Sequence, residues 1–181
     1  MGRPATVPLP YLIGKSPVIG VCHCVATRRI GGMRFAEVAV ERSFKGCQAG
    51  QRFLYLAERT WTCDITDARG GERALLLLTS LTQNPFSDLS PDFTRHKREF
   101  EKARRHELRG VSLSVLTHSG NGRMPIVERR GASLIRRSLY IRYPDDLPEI
   151  HEAGQNSWMP GLSPLELTIA SVKRYIASPQ A

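Results

Sequence analysis

Val18-Ile19-Gly20-Val21-Cys22-His23-Cys24-Val25-Ala26 is a run of β-branched and small apolar residues. It ends at a charged turn, Arg28-Arg29-Ile30-Gly31-Gly32. Paired glycines supply the positive φ angles that a hairpin turn needs. The run therefore predicts the first strand of a β-hairpin.

The run from Arg34 to Phe44 predicts the second arm of this hairpin. It places three apolar side chains on one face, namely Ala36, Val38 and Val40. Glu37 and Glu41 fall on the opposite face, which is the alternation of a half-buried strand. Lys45-Gly46 then breaks the strand.

Further strands are predicted along most of the remaining chain. Their runs are Gln51–Leu56, Glu72–Thr79, Val111–Val115, Met124–Glu128 and Leu134–Arg142. Glu72–Thr79 is apolar almost throughout, so we expect it to lie at the centre of the sheet. A polar loop, Glu58–Gly71, precedes it.

A C-terminal helix is predicted over residues 163–177. Ser163 suits the N-cap, Pro164 the first helical position, and Glu166 completes a capping box. Four apolar residues recur at helical spacing: Leu165, Ile169, Val172 and Ile176. We expect this stripe to be buried against the strands.

The length and composition indicate one globular domain, residues 1–181. No apolar run approaches the ~20 residues that cross a bilayer, so no membrane span is expected. Prolines interrupt the apolar residues near the N-terminus, so no signal peptide is predicted in the sequence as given. On this ground alone the expected compartment is the cytoplasm.

The net charge is +9, and its densest stretch is residues 95–109. Glutamates interrupt the basic residues there at spacings that would pair with them on a helix. The stretch therefore predicts a charged, solvated helical connector. An electrostatic footprint for nucleic acid or another anionic surface is the alternative.

Six sequence features follow one another in a fixed order between residues 16 and 81. They are Val18-Ile19, then Phe35-Ala36-Glu37-Val38-Ala39-Val40, then Phe44-Lys45-Gly46, then Gly50 before a strand, then Cys63, and finally Gly71-Glu72-Arg73 leading into a leucine-rich strand. This order resembles the OB-fold domain of the tissue inhibitors of metalloproteinases and of the related netrin modules. The similarity covers little more than a third of the chain.

The resemblance implies a mainly β protein, an OB-fold-like Greek-key barrel with an added β-hairpin and a C-terminal α-helix. The first four barrel strands would lie within residues 16–81. The charged helix (95–109), further strands (110–143) and the capped helix (163–177) would elaborate the barrel. The resemblance also implies a secreted or cell-envelope location and a protein partner.

One departure from the family concerns its inhibitory mechanism. In the animal inhibitors, a Cys-x-Cys at the mature N-terminus chelates the protease zinc through its free amine and carbonyl. Here the corresponding triplet, Cys22-His23-Cys24, lies inside the first predicted strand. An internal cysteine has no free α-amine, so the resemblance does not imply protease inhibition.

The four cysteines allow three pairings, and the sequence does not choose among them. In the resembling family, the cysteine that matches Cys63 is bridged to the N-terminal segment, but residues 1–21 contain no cysteine. Cys63 could instead reach Cys22, Cys24 or Cys47. We expect Cys63 to lie within disulfide reach of one of them.

No metal, cofactor or catalytic site is predicted. On a strand, Cys22 and Cys24 point to one face and His23 to the other, so the three cannot close on one metal ion. The carboxylates Asp64 and Asp67 are typical of a turn. The histidines are scattered and no nucleophile motif is present, so the chain is not expected to be an enzyme.

The leading functional hypothesis is therefore a non-enzymatic binding domain with an unidentified protein partner. The alternative is an OB-fold protein that binds single-stranded nucleic acid through a basic face. That face would contain four arginines: Arg28, Arg29, Arg34 and Arg52. Bases would stack on aromatic residues beside them, for which the candidates are Phe35, Phe53, Tyr55 and Trp61.

Overall fold

A computed structural model describes residues 6–30, 33–57, 68–80, 102, 105–106, 113–152 and 161–178. The strands in this part of the chain are β1 (Val7–Pro8), β2 (Val18–Ile30), β3 (Met33–Lys45), β4 (Arg52–Leu56), β5 (Arg73–Ser80), β6 (Leu113–Leu116), β7 (Arg123–Arg129), β8 (Ala132–Arg136), β9 (Ile141–Arg142) and β10 (Leu162–Pro164). The helices are α1 (Leu9–Lys15) and α2 (Leu165–Ala177), and Ser119–Gly122 forms a 3-10 turn.

Five of these strands close into a barrel. β2 pairs antiparallel with β3 and β5, and β3 pairs antiparallel with β4. The parallel pair β4–β6 and the antiparallel pair β5–β6 complete the ring. This order is that of the five-stranded Greek-key barrel of the OB fold, so the predicted fold class is confirmed.

The barrel interior is filled by alternate residues of its strands, as the sequence pattern predicts. Cys22 and Cys24 of β2 point inward, whereas His23 lies on the outer face. Ala36, Val38 and Val40 also point inward; the other members of this cluster are Phe53, Tyr55, Ala57, Ala68, Ala74, Leu76, Leu78 and Leu116.

Strand β5 lies at the centre of the sheet and is buried on both faces, as expected from its run of leucines. Leu76 and Leu78 face the barrel interior, whereas Leu75 and Leu77 face outward into a second core. One edge of β5 pairs with β2, and the other pairs with β6 and then with β7. The added hairpin, β7–β8, and the short β10 extend the sheet beyond the barrel.

The second core lies between the outer face of β2 and β5 and the two helices. Its central residues include Ile19, Leu75, Leu77, Leu12, Ile13 and Met124. Three residues of the predicted stripe on α2, namely Leu165, Ile169 and Val172, are buried there. Ile176 packs against the same core but is only half-buried, so the expectation for this fourth residue was too strong.

The predicted capping box is wrong. The helix α2 begins at Leu165 after Pro164, with no side-chain cap. Ser163 is instead part of β10, and its Oγ donates a hydrogen bond to the carbonyl of Pro148 at 2.9 Å. Because the pairing of β10 with β8 continues through Pro164, Ser163 is held in extended geometry. Glu166 forms an ion pair with Arg42.

Two other expectations about local structure need correction. The predicted strand Leu134–Arg142 is interrupted, because β8 ends at Arg136 and the chain resumes extended structure at β9. The helix α1 was not predicted, since prolines surround it. Pro10 lies in its first turn, where a missing N–H removes no helical hydrogen bond.

Some predicted features fall largely outside the described residues. Within the charged segment 95–109, the structure describes Lys102, Arg105 and His106, all in helical conformation. The hairpin turn at Gly31-Gly32 and most of the polar loop Glu58–Gly71 also lie outside them.

Candidate functional site

A cluster of polar side chains occupies one end of the barrel interior. The side chain of Arg123 is only 4% exposed, and its Nη2 lies 2.8 Å from Oε2 of Glu72. The guanidinium of Arg123 also forms a hydrogen bond with the hydroxyl of Tyr55, a residue that is 1% exposed. The same oxygen of Glu72 accepts a hydrogen bond from the backbone N–H of Arg69 at 3.0 Å.

The backbone path between β6 and β7 puts Arg123 in this position. The two strands follow one another along the same edge of β5, with Leu116 opposite Leu78 and Arg123 opposite Leu76. The connecting turn runs so close to β5 that a Cβ on Gly122 would lie 2.5 Å from the carbonyl oxygen of Leu77. Glycine is therefore required there, and Arg123 follows it directly into the barrel.

The two thiols and the phenol of this interior are held in their neutral forms. Burial raises the pKa of the Cys22 thiol to about 12, and it also raises the pKa of Cys24. Burial raises the pKa of the Tyr55 hydroxyl, although the nearby Arg123 opposes the shift. Neutral thiols are poor nucleophiles. The cavity beside these groups has room for at most about one water molecule.

The outer surface of the barrel carries an array of ion pairs around Glu37 of β3. The carboxylate of Glu37 is 10% exposed and is shared by two arginines from the neighbouring strands. Arg28 of β2 donates from Nη2, and Arg52 of β4 donates from Nη1 at 2.9 Å. The carboxylate thus holds both guanidinium groups in fixed positions on the strands.

The array continues across the barrel around Glu41. Its carboxylate lies 2.9 Å from Nε of Arg73 and 3.4 Å from Nδ1 of His23. Arg73 also reaches Glu128 of β7 at 3.3 Å. We name the seven residues the charged face: His23, Arg28, Glu37, Glu41, Arg52, Arg73 and Glu128.

The four arginines of the predicted basic face do not lie on one surface. Arg28 and Arg52 belong to the charged face, whereas Arg29 lies directly opposite Arg34 in the β2–β3 ladder. The Nη2 atom of Arg34 donates to the carbonyl of Ala68, 3.2 Å away at the barrel end. Neighbouring residues of a strand point to opposite faces, and the register shift between Cys24 and Ala26 puts Arg28, not Arg29, on the outer face with Glu37.

The aromatic candidates for base stacking are buried where the structure describes them. Phe35, Phe53 and Tyr55 are 0%, 4% and 1% exposed. Trp61 lies outside the described residues. The three strand aromatics therefore offer no ring to a ligand on the barrel surface.

The cysteines that the structure describes, Cys22, Cys24 and Cys47, are free thiols. Cys63 lies outside the described residues, so its predicted disulfide stays a prediction. Within the same described ranges, no group of three or more His, Cys, Asp and Glu side chains is arranged to hold a metal ion. No helix in that part of the chain is long and apolar enough to cross a membrane.

Sequence reasoning did not identify the two residues that organise these clusters. Glu37 was recognised as outward-facing, but its role between two arginines depends on cross-strand register. The residues next to Arg123 in the sequence do not indicate that it is buried, because its burial comes from the pairing of β7 with β5.

Fold and surface together define an OB-type barrel with a polar interior end and an external face of paired charges. Comparisons of the chain with family models, with curated proteins and with solved structures give no match.

Proposed function

We propose that this protein is a non-enzymatic OB-type interaction domain that binds a protein partner through the charged face. The observation that carries the proposal is the alternation of charge sign across that face, with Glu37 between Arg28 and Arg52, and Glu41 beside Arg73. A surface that presents fixed donors and acceptors of both signs complements another protein of mixed charge.

The position of the charged face within the fold supports the same proposal. The second and third barrel strands, which here are β3 and β4, form the face on which OB folds bind oligonucleotides and oligosaccharides, and in this barrel we assign that face to a protein partner. Glu37 and Arg52 lie on these strands, and regular strands place side chains more precisely than loops do. The resemblance to an extracellular, protein-binding family also supports this function, and with it a secreted or cell-envelope location.

Chemically, the face suits a protein better than a nucleic acid. A nucleic-acid groove combines unpaired basic groups with exposed aromatic rings. On the charged face, Arg28, Arg52 and Arg73 all have carboxylate partners, and the neighbouring Phe35 and Phe53 are buried.

Photo-cross-linking in cells tests the proposed binding surface. A photoreactive residue replaces Glu128, whose side chain is 60% exposed at the edge of the charged face. The matched control replaces Leu167, which is 50% exposed on α2. We expect a discrete protein adduct from position 128 and none of the same mass from position 167.

The second arm of this test uses the identified partner in a direct binding measurement. The double variant Arg28→Glu, Arg52→Glu should weaken its affinity at least about 100-fold, since charge reversal opposite a complementary surface costs several kcal/mol. Arg129→Glu, on an exposed pair outside the charged face, should change the affinity less than about threefold. Equal effects of the two substitutions would overturn the proposal.

A second candidate, binding of single-stranded nucleic acid, is favoured by the position of the most basic segment. Residues 95–109 contain seven Lys or Arg against three Glu, and they belong to the connection between β5 and β6. The corresponding connection contributes to ligand binding in OB folds. A titration with single-stranded oligonucleotides decides it: affinity that falls steeply with salt supports this candidate, and no binding at low salt eliminates it.

A further inference from the structure

Two cysteine sulfurs lie on either side of Gly20, near the beginning of β2. The thiol of Cys47, just beyond the end of β3, donates to the carbonyl of Ile19 at 3.5 Å. The thiol of Cys22 contacts the carbonyl of Gly20 at 3.8 Å. Cys22 and Gly20 are two residues apart on one strand, so they face the same side, toward the barrel interior.

Gly20 leaves the space between the two cysteines without a side chain. A Cβ at this position would lie 3.5 Å from the sulfur of Cys47 and only 2.8 Å from the carbonyl oxygen of Arg42. The register shifts on both sides of Gly20–Val21 bring the backbone of β3 this close. The backbone contact therefore requires glycine, so no side chain from position 20 lies beside the Cys47 sulfur.

We propose that Cys22 and Cys47 form a reversible disulfide that ties the first half of β2 to the second residue after β3, with a small-molecule disulfide such as oxidised glutathione as the oxidant. The Cys47 thiolate attacks the oxidant and expels one thiol, which gives a mixed disulfide. Cys22 then loses its proton, attacks the Cys47 sulfur and expels the second thiol. The two cysteine thiols lose two electrons in total, and the oxidant is reduced to two thiols.

The environments of the two thiols indicate which of them reacts first. Cys47 is partly exposed, whereas Cys22 is 3% exposed and packed in the barrel core. Burial, with a contribution from nearby Cys47, raises the pKa of Cys22 to about 12, so its thiolate is scarce and the second step is slow. The product disulfide carries no charge and suits the apolar interior. The mixed disulfide at Cys47 should therefore accumulate first.

Non-reducing peptide mapping of the full chain tests the proposal. The purified protein is incubated with oxidised glutathione, its remaining thiols are alkylated, and it is digested with trypsin. Cys47 falls in peptide 46–52 and Cys63 in peptide 60–69, whereas Cys22 and Cys24 share peptide 16–28. The Cys24→Ala variant makes the assignment unambiguous. We expect the 16–28 peptide linked to 46–52, preceded in time by glutathione on 46–52.

Two variants serve as matched controls for this link. It should persist in Cys63→Ser and disappear in Cys47→Ser, a near-isosteric change of a partly buried side chain at the edge of the core; circular dichroism checks that both variants are folded. A link from peptide 16–28 to 60–69 in its place would overturn the proposal. So would complete alkylation of both Cys22 and Cys47 after the oxidant has reacted to equilibrium.

Discussion

The guanidinium of Arg123 and the carboxylate of Glu72 meet 2.8 Å apart where the barrel interior reaches the surface. They come from two sides of the structure, since Glu72 precedes β5 and Arg123 begins β7, outside the five barrel strands. The arginine is almost fully buried, while 43% of the Glu72 side chain stays exposed. The pair therefore closes the barrel end and fixes the added hairpin to it.

Glu72→Gln should destabilise the protein by about 2 kcal/mol. The substitution keeps the shape but leaves the buried charge of Arg123 without a counterion, and the exposure of Glu72 moderates the cost. Urea unfolding followed by circular dichroism measures it. Glu166→Gln is the matched control, because its pair with Arg42 is exposed and should be worth less than about 1 kcal/mol. Equal losses in both variants would contradict this role of Glu72.

Gly122→Ala and Gly14→Ala should change stability in opposite directions. A Cβ at position 122 would collide with backbone atoms of Leu77 and Thr117, at 2.5 and 2.7 Å, so we expect a loss of more than about 2 kcal/mol. A Cβ on Gly14 in α1 meets nothing within 4 Å. Alanine there should stabilise by about 0.5–1 kcal/mol. Thermal unfolding of both variants checks the signs, and a neutral Gly122→Ala would show that the turn can move away from β5.

The charged face should respond asymmetrically to neutralisation. Glu37→Gln leaves Arg28 and Arg52 side by side without their shared carboxylate, so we expect a loss of about 1–2 kcal/mol that shrinks at high salt. Arg28→Gln or Arg52→Gln leaves Glu37 one partner and should cost less than about 1 kcal/mol. Denaturant unfolding at low and high salt tests this. A Glu37→Gln effect no larger than the arginine effects would argue against a shared carboxylate.

The reduced protein should lose stability as the pH rises from about 9 toward 12. The pKa of Cys22 is about 12 in the folded state against 9.0 for an ordinary thiol, so the unfolded chain releases this proton first. The contribution of the Cys22 thiol to the free energy of unfolding is therefore constant below about pH 9. Above that pH it decreases by up to about 1.4 kcal/mol per pH unit. Unfolding curves in reductant should show a shallower decline for Cys22→Ala. Identical slopes would contradict the buried, neutral thiol.

The core of the barrel could be predicted from the sequence because its signal is local. The alternation of Ala36, Val38 and Val40 with Glu37 and Glu41 has the period of a strand with one buried face, and the structure has the same arrangement. The leucines of β5 likewise indicated a strand buried on both sides.

The clusters on and in the barrel could not be predicted, because they depend on register between distant segments. The bulge near Val25 decides that Arg28, and not Arg29, lies on the outer face beside Glu37. The sequence alone would assign Arg123 to the surface, and it is the pairing of β7 with β5 that buries its side chain. Ser163 has the local pattern of a helix cap, but the pairing of β10 with β8 prevails over it. A short segment of sequence does not show which distant strand it will pair with, or in which register.

The parallel pairing of β4 with β6 has a consequence for how the chain acquires its structure. The last barrel strand begins at Leu113, so the ring cannot close until more than thirty residues beyond β5 have been synthesised. Residues 16–81 therefore contain four of the five barrel strands without being an autonomous folding unit. Such high contact order slows folding and leaves the open edges of β4 and β5 exposed to aggregation during synthesis.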